Sequence, residues 1–211
     1  MGLTIKKVNT PKEKRKSNSL LQKVFKKMFG FDYKTVAKLS PEFKKVPFIA
    51  YSEEIMDIIA TATVSFETNG YFPSEWYFGY RIPLELRRQN LLEIGRLAKM
   101  KTVNVTPQEE GLALLALLLA IKEYSINNNI DAWVATVHTK LLNEIRSLGI
   151  NVKVLAENGA VESEITKAMG IYTKDISLIY ATMPDSYAAL EKFAYLLANG
   201  TITIDIGKTA L

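Results

Sequence analysis

The sequence predicts an α/β fold, because segments with the pattern of strands alternate with segments that have the pattern of helices. Residues 58–66 and 131–137 are short and rich in β-branched side chains, which is typical of strands. Residues 107–125 and 140–148 carry apolar residues over the length and spacing of helices. An order of strand, helix and strand predicts a sheet with neighbouring parallel strands and with helices on its faces.

The N-terminal part of the chain is strongly basic. Residues 1–45 hold 13 Lys and Arg against 3 Asp and Glu, whereas the remainder is acidic on balance. Residues 1–18 are predicted to form a disordered basic arm, because few of them are apolar and many carry the same charge. A helix is predicted from Ser19 to Gly30, with apolar residues on one side and three lysines on the other: Lys23, Lys26 and Lys27.

The middle of the chain continues with recognisable elements. The strand at residues 58–66 is followed by an Asn69-Gly70 turn and by the aromatic stretch 71–80, which we interpret as a pocket wall or lid. Residues 91–100 form the next predicted strand. Thr106 and Glu109 make a capping box around Pro107, so a helix is predicted to begin there.

The C-terminal elements complete the predicted organisation. Residues 152–156 and 201–206 are predicted strands, and residues 186–198 a helix. Three units follow: a basic arm over residues 1–18, a core over residues 19–156, and a C-terminal helix-strand extension over residues 157–211 that packs on the same domain.

Composition excludes several classes of site. The chain has no cysteine, which excludes disulfides, a thiol nucleophile and Cys-ligated zinc, and His138 is its only histidine, so a multi-histidine metal site is excluded. The longest apolar run, residues 112–121, is half the length of a membrane-spanning helix. The first residues lack the apolar segment of a secretory signal. We therefore expect a cytoplasmic protein without a membrane span.

Three motifs carry a family resemblance. Residues 108–113 (QEEGLA) fit the phosphate-binding pattern Q/R-x-x-G-x-G/A, in which a small-residue loop aims helix N–H groups at an anion. Glu93 and Arg96 fit an E-x-x-R strand motif, and residues 70–78 fit g-x-x-P-x-E-x-x-F. Together they resemble the GCN5-related N-acetyltransferases (GNAT superfamily), nearest the N-acyl amino acid synthases and acyl-homoserine-lactone (autoinducer) synthases. The N-terminal pattern of true homoserine-lactone synthases is absent from residues 23–54, so the former branch is the closer resemblance.

The resemblance implies a GNAT-type mixed sheet in which a β-bulge at Gly95 opens a groove for an acyl donor. It implies catalytic roles for Glu93, which accepts a proton from the acceptor amine, and for Arg96, which pairs with Glu93 or with a carboxylate of the acceptor. Further expected sites are groups of side chains. Donor binding is expected at Lys101, Gln108, Gly111, Leu112 and Ala113, and the substrate pocket at Phe72, Trp76, Phe78 and Trp133.

The predicted function is N-acyl transfer, with a fatty acyl group moving from a pantetheine thioester to the amine of an amino acid or a similar small acceptor. Acyl carrier protein is the first candidate donor, because its acidic surface fits the three lysines of the first helix, with Arg87 and Arg88 as a second docking choice. No tightly bound cofactor is expected. The leaving thiolate has candidate proton donors in Tyr124, Tyr172 and Tyr180, and His138 is a further candidate functional residue.

Three alternatives stay open. An acetyl-coenzyme A-dependent acetyltransferase would bind its donor at residues 108–113. A nucleic-acid-binding protein would use the basic N-terminal region, although no basic motif interleaved with aromatic residues is present. A sensor without catalytic activity would keep only the groove.

Overall fold

The computed structural model describes residues 2–100, 107–157 and 160–207, without the side chains of residues 107–110 and 171–172. The strands are β1 (Leu3–Lys7), β2 (Lys45–Ser52), β3 (Asp57–Ser65), β4 (Leu91–Lys99), β5 (Ala132–His138), β6 (Lys153–Glu157), β7 (Ile176–Thr182) and β8 (Ile202–Asp205). The helices are α1 (Pro11–Phe29), α2 (Tyr33–Lys38), α3 (Pro73–Phe78), α4 (Leu84–Arg87), α5 (Pro107–Asn127), α6 (Thr139–Ser147), α7 (Glu164–Met169), α8 (Met183–Glu191) and α9 (Tyr195–Ala198).

All these strands belong to one mixed sheet with the order β6-β7-β5-β4-β3-β2-β1-β8. Strands β1 to β4 form an antiparallel meander, β4 and β5 run parallel, and β7 pairs antiparallel with both β5 and β6. Helices cover both faces. The α/β class and the mixed sheet flanked by helices are therefore confirmed.

The two faces of the sheet carry separate cores. Helix α5 packs its leucines against β1 to β4 on one face, together with apolar residues of α6 and α8. Helices α1, α2 and α7 pack on the other face, where they contribute Phe25, Val36 and Met169 among others. No helix in the described part of the chain is both long and apolar enough to cross a membrane.

The N-terminus differs from the predicted disordered arm. Leu3 and Ile5 are fully buried in β1, which lies between β2 and β8 in the sheet. Helix α1 begins at Pro11 rather than at Ser19, because Thr10 and Glu13 form a capping box. The burial of Leu3 and Ile5 and the capping box of α1 stabilise this folded N-terminus more than charge repulsion among its solvent-facing lysines destabilises it. The predicted end at Gly30 is confirmed, since this glycine adopts the left-handed conformation of a helix C-cap.

The C-terminal part corrects the predicted strand order. Residues 152–156 were expected beside the strand at 131–137, but β7 lies between β5 and β6 and is antiparallel to both. The sequence ISLIYAT of β7 is almost entirely buried, so it takes the central place that the more exposed β6 cannot fill. The helix expected over residues 186–198 is divided into α8 and α9. β8 joins the sheet edge beside β1, in agreement with the predicted final strand.

Candidate active site

A β-bulge in β4 organises the site. Thr63 of β3 faces Gly95, but Thr61 faces Ala98, so β4 carries one residue more than β3 across this step. The extra residue is accommodated at Arg96, whose backbone adopts a left-handed φ of 53°. The predicted bulge is confirmed, although the strained residue is Arg96 and not Gly95. The bulge brings Arg96 to the same cavity as Glu93, which regular alternation would have prevented.

The bulge also separates β4 from β5. The two parallel strands are paired only from Leu91 to Glu93 on β4, and beyond that point a cavity of about 170 Å³ lies between them. We call this cavity the donor groove. Its walls come from β4, β5, α1, α5 and α6, and they are largely apolar, with Phe25, Phe29, Leu114, Leu118, Trp133 and Val137 among them. Such a lining suits an apolar group.

A buried polar cluster lies at the start of the separation. The Glu93 side chain, 4% exposed, accepts hydrogen bonds from the backbone N–H of Ser74 at 2.9 Å and from its hydroxyl at 2.8 Å. The Ser74 hydroxyl also lies 2.6 Å from that of Thr136 on β5. Glu93, Ser74 and Thr136 therefore form a continuous hydrogen-bonded chain from β4 to β5, which we call the carboxyl cluster.

Burial sets the protonation state of Glu93. Loss of solvent and, to a smaller extent, the negative charge of Glu75 raise its pKa, while the hydrogen bonds from Ser74 and the charge of Arg96 lower it, so that the pKa stands at about 8. At neutral pH the carboxyl group is therefore mostly protonated. A group with a pKa near 8 is able to accept and return a proton close to neutral pH, as a general base requires.

Arg96 is held by aromatic rings. Its guanidinium carbon lies 5.6 Å from the centre of the Tyr33 ring, and one of its nitrogens lies 3.5 Å from the Tyr77 hydroxyl. Among the described residues it forms no ion pair within 4 Å, with Glu93 or with any other acid. The guanidinium is therefore free to meet an anionic group of a substrate.

Arg96 is also the residue where three cavities meet. It borders the donor groove, a smaller cavity of about 80 Å³ that we call the inner pocket, and a wide cavity of about 880 Å³ that we call the cationic pocket. Glu93 and Thr136 line the inner pocket together with Tyr33 and Tyr77. The cationic pocket lies between α1, α2 and β2. The carboxyl cluster is thus adjacent to two separate approaches from solvent.

The predicted pocket aromatics separate into two groups. Phe78 lines the inner pocket, and Trp133 lines the donor groove while its ring N–H donates to Ser186 at 2.8 Å. Phe72 instead lies buried beneath the guanidinium of Arg87, and Trp76 is 42% exposed; neither borders these cavities. The reason is that residues 73–78 form helix α3, whose successive side chains point in different directions.

The predicted donor-binding residues lie mostly on the first turns of α5. Lys101 lies outside the described residues, as does the side chain of Gln108. Gly111 is exposed with open space around it, Leu112 is half-buried, and Ala113 is buried in the core. None of the three borders the donor groove, which α5 enters at Leu114.

The two predicted docking sites differ. Lys23, Lys26 and Lys27 are exposed on α1. Arg87 is not available for docking, because it forms ion pairs with Glu67, at 2.8 Å, and with Glu75. Glu75 also accepts from the backbone N–H groups of Phe72 and Ile82, so this carboxylate fixes the chain around α3. Arg88 remains exposed.

The candidate proton donors occupy different places. Tyr124 is buried edge-on against Phe48, Tyr180 donates its hydroxyl to Gln89, and the Tyr172 side chain lies outside the described set. Neither Tyr124 nor Tyr180 is found among the walls of the donor groove. His138 does line it, stacked on Phe29 with the ring centres 4.9 Å apart. Burial lowers the pKa of His138, against the opposing effect of Asp175.

Sequence reasoning missed two residues of the site, Ser74 and Thr136, whereas Tyr77 belongs to the aromatic stretch 71–80 that was interpreted as a pocket wall or lid. Ser74 follows Pro73 at the start of α3, where its backbone N–H has no partner within the helix and is free to reach Glu93. Ser74 occupies an unspecified position of the motif g-x-x-P-x-E-x-x-F, so no pattern marked it. Within the described residues, no group of three or more acidic or histidine side chains is placed to hold a metal ion.

Comparison with solved structures identifies this architecture. FeeM, an N-acyl amino acid synthase from uncultured soil microbes, aligns with a TM-score of 0.60 at 14% identity over 90% of this chain and 97% of its own. The acyl-homoserine lactone synthase LasI gives 0.63 at 14% identity, over 90% of this chain and 94% of its own. The chain has the fold of these synthases.

A third structure extends the alignment to the full chain. BjaI, a CoA-dependent acyl-homoserine lactone synthase solved with SAM and isopentyl-CoA, aligns with a TM-score of 0.66 at 12% identity over 100% of this chain and 96% of its own. No protein-family model matches the chain, and no curated protein matches its sequence. The likeness therefore lies in the fold, which agrees with the GNAT-type, autoinducer-synthase-like architecture expected from the motifs.

Proposed function

We propose that the protein is an N-acyltransferase that moves a fatty acyl group from a pantetheine thioester to the amine of a small acceptor. The observation that carries this proposal is the position of the carboxyl cluster. It lies at the last paired residue of β4 and β5, where the two strands separate and the donor groove begins. A thioester carbonyl placed there lies between an apolar groove on one side and a buried proton acceptor on the other.

The proposed reaction uses Glu93 as general base. The unprotonated carboxylate takes a proton from the acceptor ammonium, and the amine nitrogen then attacks the thioester carbonyl. A C–N bond forms and the C–S bond breaks; the nitrogen gives up its second proton, which the leaving thiolate takes up, and Glu93 releases the first proton to solvent, so that charge and protons balance. Ser74 and Thr136 hold the carboxyl group toward the inner pocket, and Arg96 receives an anionic group of the acceptor.

Acyl carrier protein is our proposed donor. Of the three lysines predicted for docking, Lys26 and Lys27 are exposed on the helix that supplies Phe25 and Phe29 to the donor groove, so a docked acidic carrier would present its arm close to the groove, whereas Lys23 lines the cationic pocket. Coenzyme A thioesters are the alternative donors. For them, the residues proposed to contact the phosphates are Lys101, Gln108, Gly111 and Leu112, but not Ala113, which is buried in the core.

The nucleic-acid-binding alternative would use the basic N-terminal region, in which residues 3–7 form β1 and residues 11–29 form α1. Many of the N-terminal cations surround the cationic pocket instead of forming a free tail.

The first test is release of free thiol from palmitoyl-acyl carrier protein, palmitoyl-coenzyme A and acetyl-coenzyme A, each with pooled amino acids. The chain has no cysteine and adds no thiol signal of its own. We expect release from a fatty acyl donor, with loss in Glu93→Gln and retention in Glu85→Gln, whose side chain is exposed. Absence of release from every donor, by a folded wild-type protein, would contradict the proposed function.

A further inference from the structure

The cationic pocket has an unusual composition. Among the described residues that line it, seven are basic and one, Glu42, is acidic. The basic residues are Lys14, Arg15, Lys23, Lys34, Lys38, Lys45 and Arg96. Its volume, about 880 Å³, lies in the range of small-molecule sites.

These charges are not neutralised within the fold. None of the seven basic side chains forms an ion pair with another described residue. The pKa of Lys45 is lowered by desolvation and then by the positive charges of Arg96 and Lys14, so the cations act on one another across the pocket. A concave surface with one sign of charge concentrates ions of the opposite sign.

The cationic pocket lies next to the inner pocket, which Glu93 lines. Arg96 and Tyr33 line both the cationic pocket and the inner pocket, where Glu93 lies. Helix α1 separates the two approaches: Phe25 and Phe29 face the donor groove, whereas Lys14 and Lys23 face the cationic pocket. A molecule held in the cationic pocket therefore lies against Arg96 and Tyr33, on the side of α1 away from the apolar groove.

We infer that the acceptor is a small amine carrying at least two negative charges, in a phosphate group or in carboxylates, and that the cationic pocket binds those charges. This inference rests on the proposed function. A monocarboxylate would be satisfied by Arg96 alone, and a neutral amine would leave every cation of the pocket without a partner. A molecule with two or more negative charges matches both the charge and the size of the pocket.

The first experiment compares acceptors that differ in charge, with whichever acyl donor supports turnover. The pairs are O-phospho-L-serine against L-serine, and L-glutamate against L-glutamine, so that the phosphate and carboxylate sources are distinguished. We expect kcat/KM to be about tenfold or more higher for the charged member of at least one pair. The preference should shrink between 50 and 300 mM salt, about the range over which exposed charges become screened.

The second experiment measures binding without catalysis. Calorimetric titration of O-phospho-L-serine into the protein without donor is carried out on the wild type and on the triple variant Lys34→Gln/Lys38→Gln/Lys45→Gln. The matched control Lys12→Gln/Lys153→Gln/Lys174→Gln removes three exposed lysines that border none of the three cavities. We expect the first triple variant to bind about tenfold or more weakly and the control to bind like the wild type.

The outcomes separate this inference from the proposed function. Acyl transfer with equal rates for the charged and neutral members of both pairs would overturn the inference and leave the proposed function standing. Equal loss of binding in both triple variants would also overturn it, because a general charge effect would then explain the binding. A third outcome is that only the pocket variant loses binding and that no acceptor is acylated. This result would support the anion site and contradict the proposed function.

Discussion

The two cavities on either side of α1 differ in chemistry, although the same helix borders both. The donor groove is walled by apolar residues of α1, α5 and β5, while the cationic pocket is lined by seven basic residues. They meet at Arg96, beside the buried carboxyl group of Glu93. Under the proposed function, one bulged strand would serve two substrates of opposite character, one held by apolar contact and one by charge.

Filling the donor groove should affect long acyl donors far more than short ones. Val24 is half-buried on α1 and lines this groove, so Val24→Trp places a large ring in the path of the acyl chain. We expect kcat/KM for a palmitoyl donor to fall about 100-fold, because a displaced thioester misses the attacking amine. The rate with acetyl-coenzyme A serves as the internal comparison. Leu84→Trp, at an exposed position outside the cavities, should leave both rates unchanged.

Removing the Ser74 hydroxyl should shift the pH dependence of catalysis. The hydrogen bonds from Ser74 lower the pKa of Glu93, so Ser74→Ala raises this pKa above its present value near 8. We expect about tenfold lower activity at pH 7, in line with the loss of one hydrogen bond to a charged group. The pH–rate profile should move to higher pH. Ser186→Ala, which removes a different buried hydroxyl, should leave the profile in place.

Stability should fall with rising pH because of Glu93. Its pKa is raised on folding from 4.5 to about 8, so between these values the unfolded state has lost the proton that the folded state keeps. The stabilisation by the protonated group is complete below about pH 4.5 and is lost as pH rises towards 8. Urea unfolding at pH 5 and pH 8 should show a decline of up to about 1.4 kcal/mol per pH unit that Glu93→Gln lacks. Equal slopes in the two proteins would mean that Glu93 is ionised in the fold.

The smallest effect is expected on the outer side of α1. Lys26→Gln/Lys27→Gln removes two exposed charges beside the donor groove, so association with an acidic carrier should weaken a few-fold at low salt. The measurement is KM for acyl-acyl carrier protein, compared with KM for the matching coenzyme A thioester. Equal changes for the two donors would contradict the carrier-docking role.

The parts of the fold that local patterns determine were predictable. β3 and β5 are runs of β-branched residues, and α5 begins at the Pro107 that the sequence pattern marked. β1 was missed because its two buried residues, Leu3 and Ile5, stand among lysines, and its stability comes from β2 and β8, which are distant in sequence. Strand order at the other edge was missed for the same reason, since no local signal places β7 between β5 and β6.

The residues of the candidate site also divide into those that a local sequence motif predicted and those that only the fold brings together. Glu93 and Arg96 were found because they lie in one strand motif, and the structure brings them to one cavity. Ser74 contacts Glu93 across 19 positions of sequence, and Thr136 contacts Ser74 across 62 positions. No spacing rule connects residues so far apart. Phe72 and Trp76 were placed in a pocket because aromatic residues cluster in sequence, whereas helix α3 separates their side chains in space.

The most direct test of the account is the pH dependence of kcat in the wild type and in Glu93→Gln, with a saturating acyl donor and a good acceptor amine. If Glu93 is the base between the two cavities, wild-type kcat rises with pH to a plateau above a pKa near 8, and the variant loses that limb together with about 100-fold or more of its rate. A Glu93→Gln protein that keeps both the rate and the profile of the wild type would contradict the account.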